Sequence, residues 1–239
     1  MRPITCGHRG GRGPGWPPEN TLAAFERAIG EGARALELDA RLTADGAVVV
    51  LHDPSLARIT GGADTREVHR CSARDIAAIQ VDGHPIPTLD EALELAGQRR
   101  VIVNVEIKAD RPRRGALTLA ALRCVARARC DVVVSSFHPG VCALARAVVP
   151  ELEVALLTAQ GTYPSPHVLW PRIPKLLTAI HVEDVEATEA RLAAIARAGM
   201  RPVVWTVNDP ARARLLAAWG ARWIITDRPA AIVAALDAS

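Results

Sequence analysis

Short β-rich runs alternate with Ala/Leu-rich amphipathic runs from one end of the chain to the other, and this alternation limits the fold more than any other feature. The strand candidates are Ile4–Gly7, Ala35–Leu38, Val48–His52, Val101–Ile107, Val132–Ser135, Val154–Leu157, Ala179–Val182, Pro202–Thr206 and Trp223–Thr226. Val48–His52 reads as a partner of the strand before it, either as a hairpin through Thr43-Ala44-Asp45-Gly46 or as an extension. Eight main strands remain. Strands separated by helices of this length imply parallel pairing through right-handed crossovers. Eight such units in 239 residues fit an α/β fold of the (β/α)8 TIM-barrel type. A doubly wound open sheet is the structural alternative. Neither a linker nor a composition shift marks a second domain, so residues 1–239 read as one domain.

The helix ends are legible. Asn20 precedes the helical run Thr21–Ile29, which Gly30 and Gly32 stop. Thr88 and Glu91 have capping-box spacing, in which each side chain satisfies a free N–H of the first turn. Ala193–Ala198 stops at Gly199, and Asp209-Pro210 opens a helix that ends near Gly220.

Composition removes several functions. Apolar residues make up 49% and charged residues 23%, enough to bury a core and too apolar for a disordered chain. A net charge of +3 without a basic stripe argues against nucleic acid as a partner. No apolar run approaches the roughly 20 residues of a membrane-spanning helix, so no integral membrane segment is expected. The opening MRPITCGHRG holds no apolar signal core, and the five cysteines are an odd number without a Cys-x-x-Cys pair. Reduced thiols and a cytoplasmic location are the expectation. Oligomeric state is not legible.

In a barrel, functional groups belong at the C-terminal ends of strands. The unusual polar residues cluster there: His8-Arg9, Glu37 and Asp39, His52-Asp53, Glu106 and Lys108, Ser135-Ser136, Glu183, Trp205 with Asn208, and Asp227. Glu37 and Asp39 lie two apart, so on a strand they share a face. Two carboxylates side by side in a barrel mouth repel each other, and a hard divalent cation, Mg²⁺ or Ca²⁺, is the economical neutraliser. In Asn104-Val105-Glu106-Ile107-Lys108 polar and apolar residues alternate, which points to a wet, charged interior at this level. Glu106 can add a third carboxylate to a metal, and Lys108 an ammonium to an anion beside it. His8 and His52 are suited to take and give protons in phosphate-ester cleavage. Arg9 can clamp a phosphate bidentately.

GHRG followed by PPENT, ELD, LHD, NVEIK, VVWTVND and ITDRP closely resembles the glycerophosphodiester phosphodiesterase family, with the motifs in order from His8 to Pro229. The resemblance implies a (β/α)8 barrel with a small insertion after strand 2, here about residues 53–87. It also implies metal-dependent hydrolysis of glycerophosphodiesters to glycerol 3-phosphate and an alcohol. On its motifs Glu37, Asp39 and Glu106 would be metal ligands and His8 and His52 the acid/base pair. Arg9 and Lys108 would bind the phosphate, and Trp205 could wall the glycerol site. A lysophospholipase D-like activity on single-chain lipids and a non-catalytic phosphodiester-binding barrel are the alternatives.

The remaining signals are weaker. Asn20 and Asn208 read as helix caps, Glu19 as a neighbour of the site, and Asp227 as an anchor for the last loop. His138 and His181 match no motif, and Cys6 reads as a small buried thiol. The insertion is rich in Arg and Asp without an obvious apolar patch. Asp110–Gly115, with Arg111, Arg113 and Arg114, and Thr158–Lys175, with Tyr163 and Trp170, are candidate headgroup-selecting loops.

Overall fold

The computed structural model describes residues 2–108, 113–161 and 176–238. It opens with β1 (Ile4–His8), α1 (Leu22–Gly30) and β2 (Ala35–Leu42), and β3 (Val48–Val50) folds back antiparallel on the end of β2. Next come α2 (Ala73–Ala77), the two-residue strands β4 (Gln80–Val81) and β5 (His84–Pro85), and α3 (Leu89–Arg99). Then follow β6 (Ile102–Ile107), α4 (Arg114–Val125), β7 (Val132–Ser136), α5 (Pro139–Val148) and β8 (Glu153–Thr158). The chain finishes through β9 (Ala179–Glu183), α6 (Glu189–Arg197), β10 (Arg201–Trp205), α7 (Pro210–Ala218), β11 (Trp223–Thr226) and α8 (Pro229–Asp237).

β1, β2, β6, β7, β8, β9, β10 and β11 pair in parallel in that order, and β11 pairs back onto β1. The sheet therefore closes into an eight-stranded barrel, which excludes the open doubly wound sheet. Two apolar layers hold it. Outward positions such as Leu36, Leu38, Val103, Val105 and Ile107 join Phe25, Leu89 and Leu93 in the layer under the helices. Inward positions Cys6, Ala35, Val133, Ala155, Ala179, Val203, Trp223 and Ile225 form a separate core inside the barrel. Toward the C-terminal strand ends the inward positions turn polar, and His8, Glu37, Asn104, Glu106 and His181 are all buried there.

Several local readings are corrected. β2 runs on to Leu42 because β3 covers its end, with Ala40, Arg41 and Leu42 opposite Val50, Val49 and Val48. Asp39 thus lies inside the strand rather than past it. Thr21, not Asn20, caps α1, accepting from Ala24 N at 3.2 Å. Asp209, not Asn208, caps α7, accepting from Arg212 N at 2.6 Å. A Ser, Thr or Asp directly before the first helical turn outcompetes an Asn one residue further out, because only the former reaches the free N–H groups. Thr88 and Glu91 do form the capping box.

The insertion has an apolar centre of its own, where Leu56, Val68, Cys71, Ile76 and Ile86 pack on Val49 and Leu51. Its apolar residues are spaced too irregularly for a period to reveal them. Arg113 donates to Thr43 O at 2.9 Å and Arg114 meets His138 Nε2 at 2.6 Å, so both are engaged within the fold rather than forming an open basic loop. Arg111, Tyr163 and Trp170 lie outside the described residues. All five cysteines are free. Among the described residues, no helix is long and apolar enough to cross a membrane.

Candidate active site

Strand register brings the acidic residues together. His8 stands opposite Glu37, Glu37 opposite Asn104, and Asp39 opposite Glu106. Because all face inward at the C-terminal ends of β1, β2 and β6, one oxygen from each of Glu37, Asp39 and Glu106 falls within 4.8 Å of the others. All three side chains are buried. Burial at such spacing is costly for like charges and demands compensation.

Two cations supply part of it. Lys108 Nζ lies 2.8 Å from Asp39 Oδ1 and 2.6 Å from Glu106 Oε1, and Arg9 Nε lies 3.1 Å from Asp39 Oδ2. The backbone N–H of Arg9 also donates to Glu37 Oε2 at 3.0 Å. Burial alone would raise Asp39, but Lys108 and Arg9 outweigh it and hold that carboxyl below its usual range. Glu37 is pushed well above its range by burial and then by Asp39 and Glu106. Burial also raises Glu106, in spite of Lys108. The compensation is thus uneven: Lys108 and Arg9 bear on Asp39, Lys108 also meets Glu106, and Glu37 receives one N–H from Arg9.

That imbalance answers whether a cation fits. The ion-pair contacts leave buried Asp39 Oδ1 without a well-aligned hydrogen-bond donor. Three buried carboxylates with oxygens within 4.8 Å of one another are the donor set of a hard divalent ion, and the residues fit one. Asn20, whose Nδ2 donates to Asp39 Oδ2 at 2.8 Å, is the buried residue that orients this ligand candidate.

Two His–Asp pairs flank the acids. His8 Nδ1 meets Asp227 Oδ1 at 2.7 Å, and His52 Nδ1 meets Asp53 Oδ1 at 2.7 Å. A carboxylate only accepts, so each histidine carries its proton on Nδ1 and presents a lone pair at Nε2. His8 Nε2 lies 3.9 Å from Glu37 Oε2. Burial lowers His8, partly opposed by Asp227, and burial followed by Lys108 lowers His52. Arg41, buried on the extended part of β2, fixes the backbone of His52 by donating from Nε to its carbonyl at 2.8 Å. Asn208 Nδ2 donates to Asp227 Oδ2 at 2.9 Å, and Arg12 Nε donates to Asp227 Oδ1 at 2.9 Å.

These groups border one cavity of about 170 Å³, lined by His8, Arg9, Glu37, His52, Asn104, Glu106 and Lys108. Phe137, Leu157, Trp205 and Ile225 form its apolar side. Trp205 meets Phe137 edge-on, with centroids 5.6 Å apart at 84°. The eight sequence-predicted residues therefore come together in one mouth. Asp227, Asp53 and Asn20 were missed as site residues. Their signals were present, since Asp53 adjoins His52 and Asp227 ends a strand, but their partners depend on barrel closure.

A closed (β/α)8 barrel with a cation-ready acidic centre and two histidines at its mouth defines a hydrolase-like site. The model of the glycerophosphoryl diester phosphodiesterase family matches residues 8–231. A glycerophosphodiester phosphodiesterase of Bacillus altitudinis is 31% identical over 233 residues, covering 93% of each chain. One from Caldanaerobacter subterraneus subsp. tengcongensis is 27% identical over 241 residues, covering 98% of this chain and 97% of its own. An Oleispira antarctica phosphodiesterase, solved with the product sn-glycerol-3-phosphate, superposes with a TM-score of 0.89 at 25% identity, covering 99% of this chain and 97% of its own. The chain belongs to the glycerophosphoryl diester phosphodiesterase family and is an enzyme of the phosphodiesterase class.

Proposed function

We propose that this chain hydrolyses glycerophosphodiesters to glycerol 3-phosphate and an alcohol, with His8 and His52 as the acid/base pair. The observation that carries this reading is the meeting of three buried carboxylates, two His–Asp pairs and two cations around one small cavity. The cavity, of about 170 Å³, sets these charged groups against an apolar side of Phe137, Leu157, Trp205 and Ile225.

Glu37, Asp39 and Glu106 would hold a divalent cation, Mg²⁺ or Ca²⁺. Bound there, such an ion supplies a Lewis acid for a phosphoryl oxygen. Burial and the neighbouring carboxylates raise Glu37, and burial raises Glu106. A divalent charge held there would favour the ionised form of both and offset their charge in front of an anionic phosphodiester. Lys108 and Arg9 are then placed to bind the phosphodiester oxygens and offset charge growing on them. Trp205 would wall the glycerol moiety.

Each histidine offers Nε2 to the cavity while its aspartate stabilises the imidazolium that forms when Nε2 takes a proton. One takes the proton of the attacking hydroxyl or water at its free Nε2, and the other, entering the step as the imidazolium, gives its Nε2 proton to the leaving alkoxide. Two such carriers serve a displacement better than one, because the proton lost by the nucleophile and the proton gained by the leaving group are on opposite sides of phosphorus.

His8→Ala and His52→Ala test this assignment. Each should abolish turnover of glycerophosphocholine while calorimetric cation binding persists. Near-normal turnover in either variant removes that histidine from the mechanism.

A further inference from the structure

Arg58 lies on the insertion, five residues beyond Asp53, and takes no part in the chemistry above. Its guanidinium bridges two carboxylates from separate parts of the chain. Nε donates to Asp53 Oδ2 at 2.5 Å, and Nη2 donates to Glu19 Oε1 at 2.7 Å. Asp53 uses its other oxygen on His52 Nδ1 at 2.7 Å. Glu19 accepts in addition from Arg9 Nη1 at 3.1 Å and from Arg12 Nη1 at 3.4 Å. Arg12 in turn grips Asp227 through Nε and Nη2, at 2.9 and 3.1 Å, and Asp227 holds His8. An unbroken series of alternating charges thus runs from His52 to His8 around the rim of the mouth.

Arg58 is where this series crosses from the insertion to the loop after β1. The physical need for it is specific. Asp53 is on the wet side of the mouth, and its carboxylate can rotate away from His52 unless its second oxygen is held. Glu19 is mostly buried and tethered to Arg9, so it offers a fixed anchor. A planar guanidinium reaches both carboxylates at once in a fixed fork, which an ammonium does not. The Arg58 side chain is itself 50% exposed and lines no part of the site cavity, so it acts on the site only through these partners.

We propose that Arg58 is a positioning residue, which fixes Asp53 against Glu19 and thereby holds the His52 imidazole in its working orientation. The kinetic part of this inference rests on the phosphodiesterase reading above; the geometric part does not. The insertion is then part of the acid/base machinery rather than a cover over it.

The test compares wild type, Arg58→Ala and Arg58→Lys by kinetics on glycerophosphocholine and by NMR of the histidine side chains. Arg58→Ala should lower kcat about 10- to 100-fold, as loss of a group that orients a working side chain does. KM should stay within a few fold, and sub-denaturing guanidinium should restore part of the rate. In the same variant the hydrogen-bonded Nδ1–H signal of His52 should be lost while that of His8 remains. Arg58→Lys, which preserves charge and fold, should be intermediate in rate and also weaken the His52 signal. Wild-type kcat, or a slowed enzyme with an unchanged His52 signal, would overturn the proposal. An inactive wild type whose His52 signal still depends on Arg58 would instead count against the substrate assignment and leave Arg58's role standing.

Discussion

Asp227 Oδ1 lies 2.7 Å from His8 Nδ1, joining residues 219 positions apart at the place where the barrel closes. Asp227 has four other contacts to keep it there: Asn208 reaches its Oδ2 and its backbone N–H, and Arg12 reaches both of its oxygens. Burial would raise its pKa, but the bonds from His8 and Arg12 outweigh it, so the carboxylate stays ionised and oriented.

Asp227→Asn keeps the shape and removes the charge. Its amide can also turn a donor toward Nδ1 and select the wrong tautomer of His8. A fall in kcat of at least about 100-fold is expected, on the pattern of other Asp–His pairs. Steady-state rates on glycerophosphocholine measure it, with thermal unfolding alongside to show that the fold is kept. A kcat close to wild type would mean that His8 needs no partner.

Cation binding should stabilise the fold, because it relieves repulsion among Glu37, Asp39 and Glu106. At a cation concentration near 100 times Kd the gain is about 2.7 kcal/mol. For a chain of this size that raises Tm by roughly 5–10 °C. Calorimetry with Mg²⁺, with Ca²⁺ and with EDTA measures the shift, and Glu37→Ala should lose most of it. A Tm indifferent to both ions would remove the proposed metal centre.

Trp205 is held by its own Nε1–H, which donates to His181 O at 3.2 Å, and by the edge-on contact with Phe137. Truncating it to Ala should open the apolar wall without touching His8 or His52. KM should therefore rise about tenfold, equivalent to about 1.4 kcal/mol of binding, while kcat changes by less than about threefold. Equal loss in kcat would place Trp205 in the transition state rather than in binding.

His181 faces the barrel interior on β9, 1% exposed, with Nδ1 lacking a partner. Burial, followed by the charge of Arg201, lowers its pKa from 6.5 to about 3. The unfolded chain thus takes up this proton at higher pH than the folded one does. The stability tied to neutral His181 is complete above pH 6.5 and is lost progressively as pH falls toward 3. The slope is up to about 1.4 kcal/mol per pH unit. His181→Leu should flatten urea-midpoint stability by that amount between about pH 6 and 4. An unchanged slope would show that His181 is protonated, or solvated, in the folded state.

What was legible in the sequence follows from what is periodic. The alternating runs exposed the barrel, and period-2 spacing placed Glu37 with Asp39 and Glu106 with Lys108 on shared faces. Relationships set by closure were not legible. A barrel puts the last strand beside the first, but nothing near Asp227 indicates which residue of β1 it meets, so its pairing with His8 is invisible until the sheet joins. Asn20 looked like a helix cap because Asn commonly is one, but Thr21 holds that place and frees Asn20 to orient Asp39. The insertion hid its role for a third reason. Its sequence shows only that it is rich in Arg and Asp, and nothing there indicates that the Arg58 guanidinium meets Asp53 and Glu19.

The most direct measurement is release of glycerol 3-phosphate from glycerophosphocholine and glycerophosphoethanolamine, with Mg²⁺, with Ca²⁺ and with EDTA. Release that requires a divalent cation, stops with EDTA and is lost in Glu37→Ala is the predicted result. Folded protein that releases none with either ion, or that releases it equally in EDTA, would contradict a metal-dependent glycerophosphodiester phosphodiesterase.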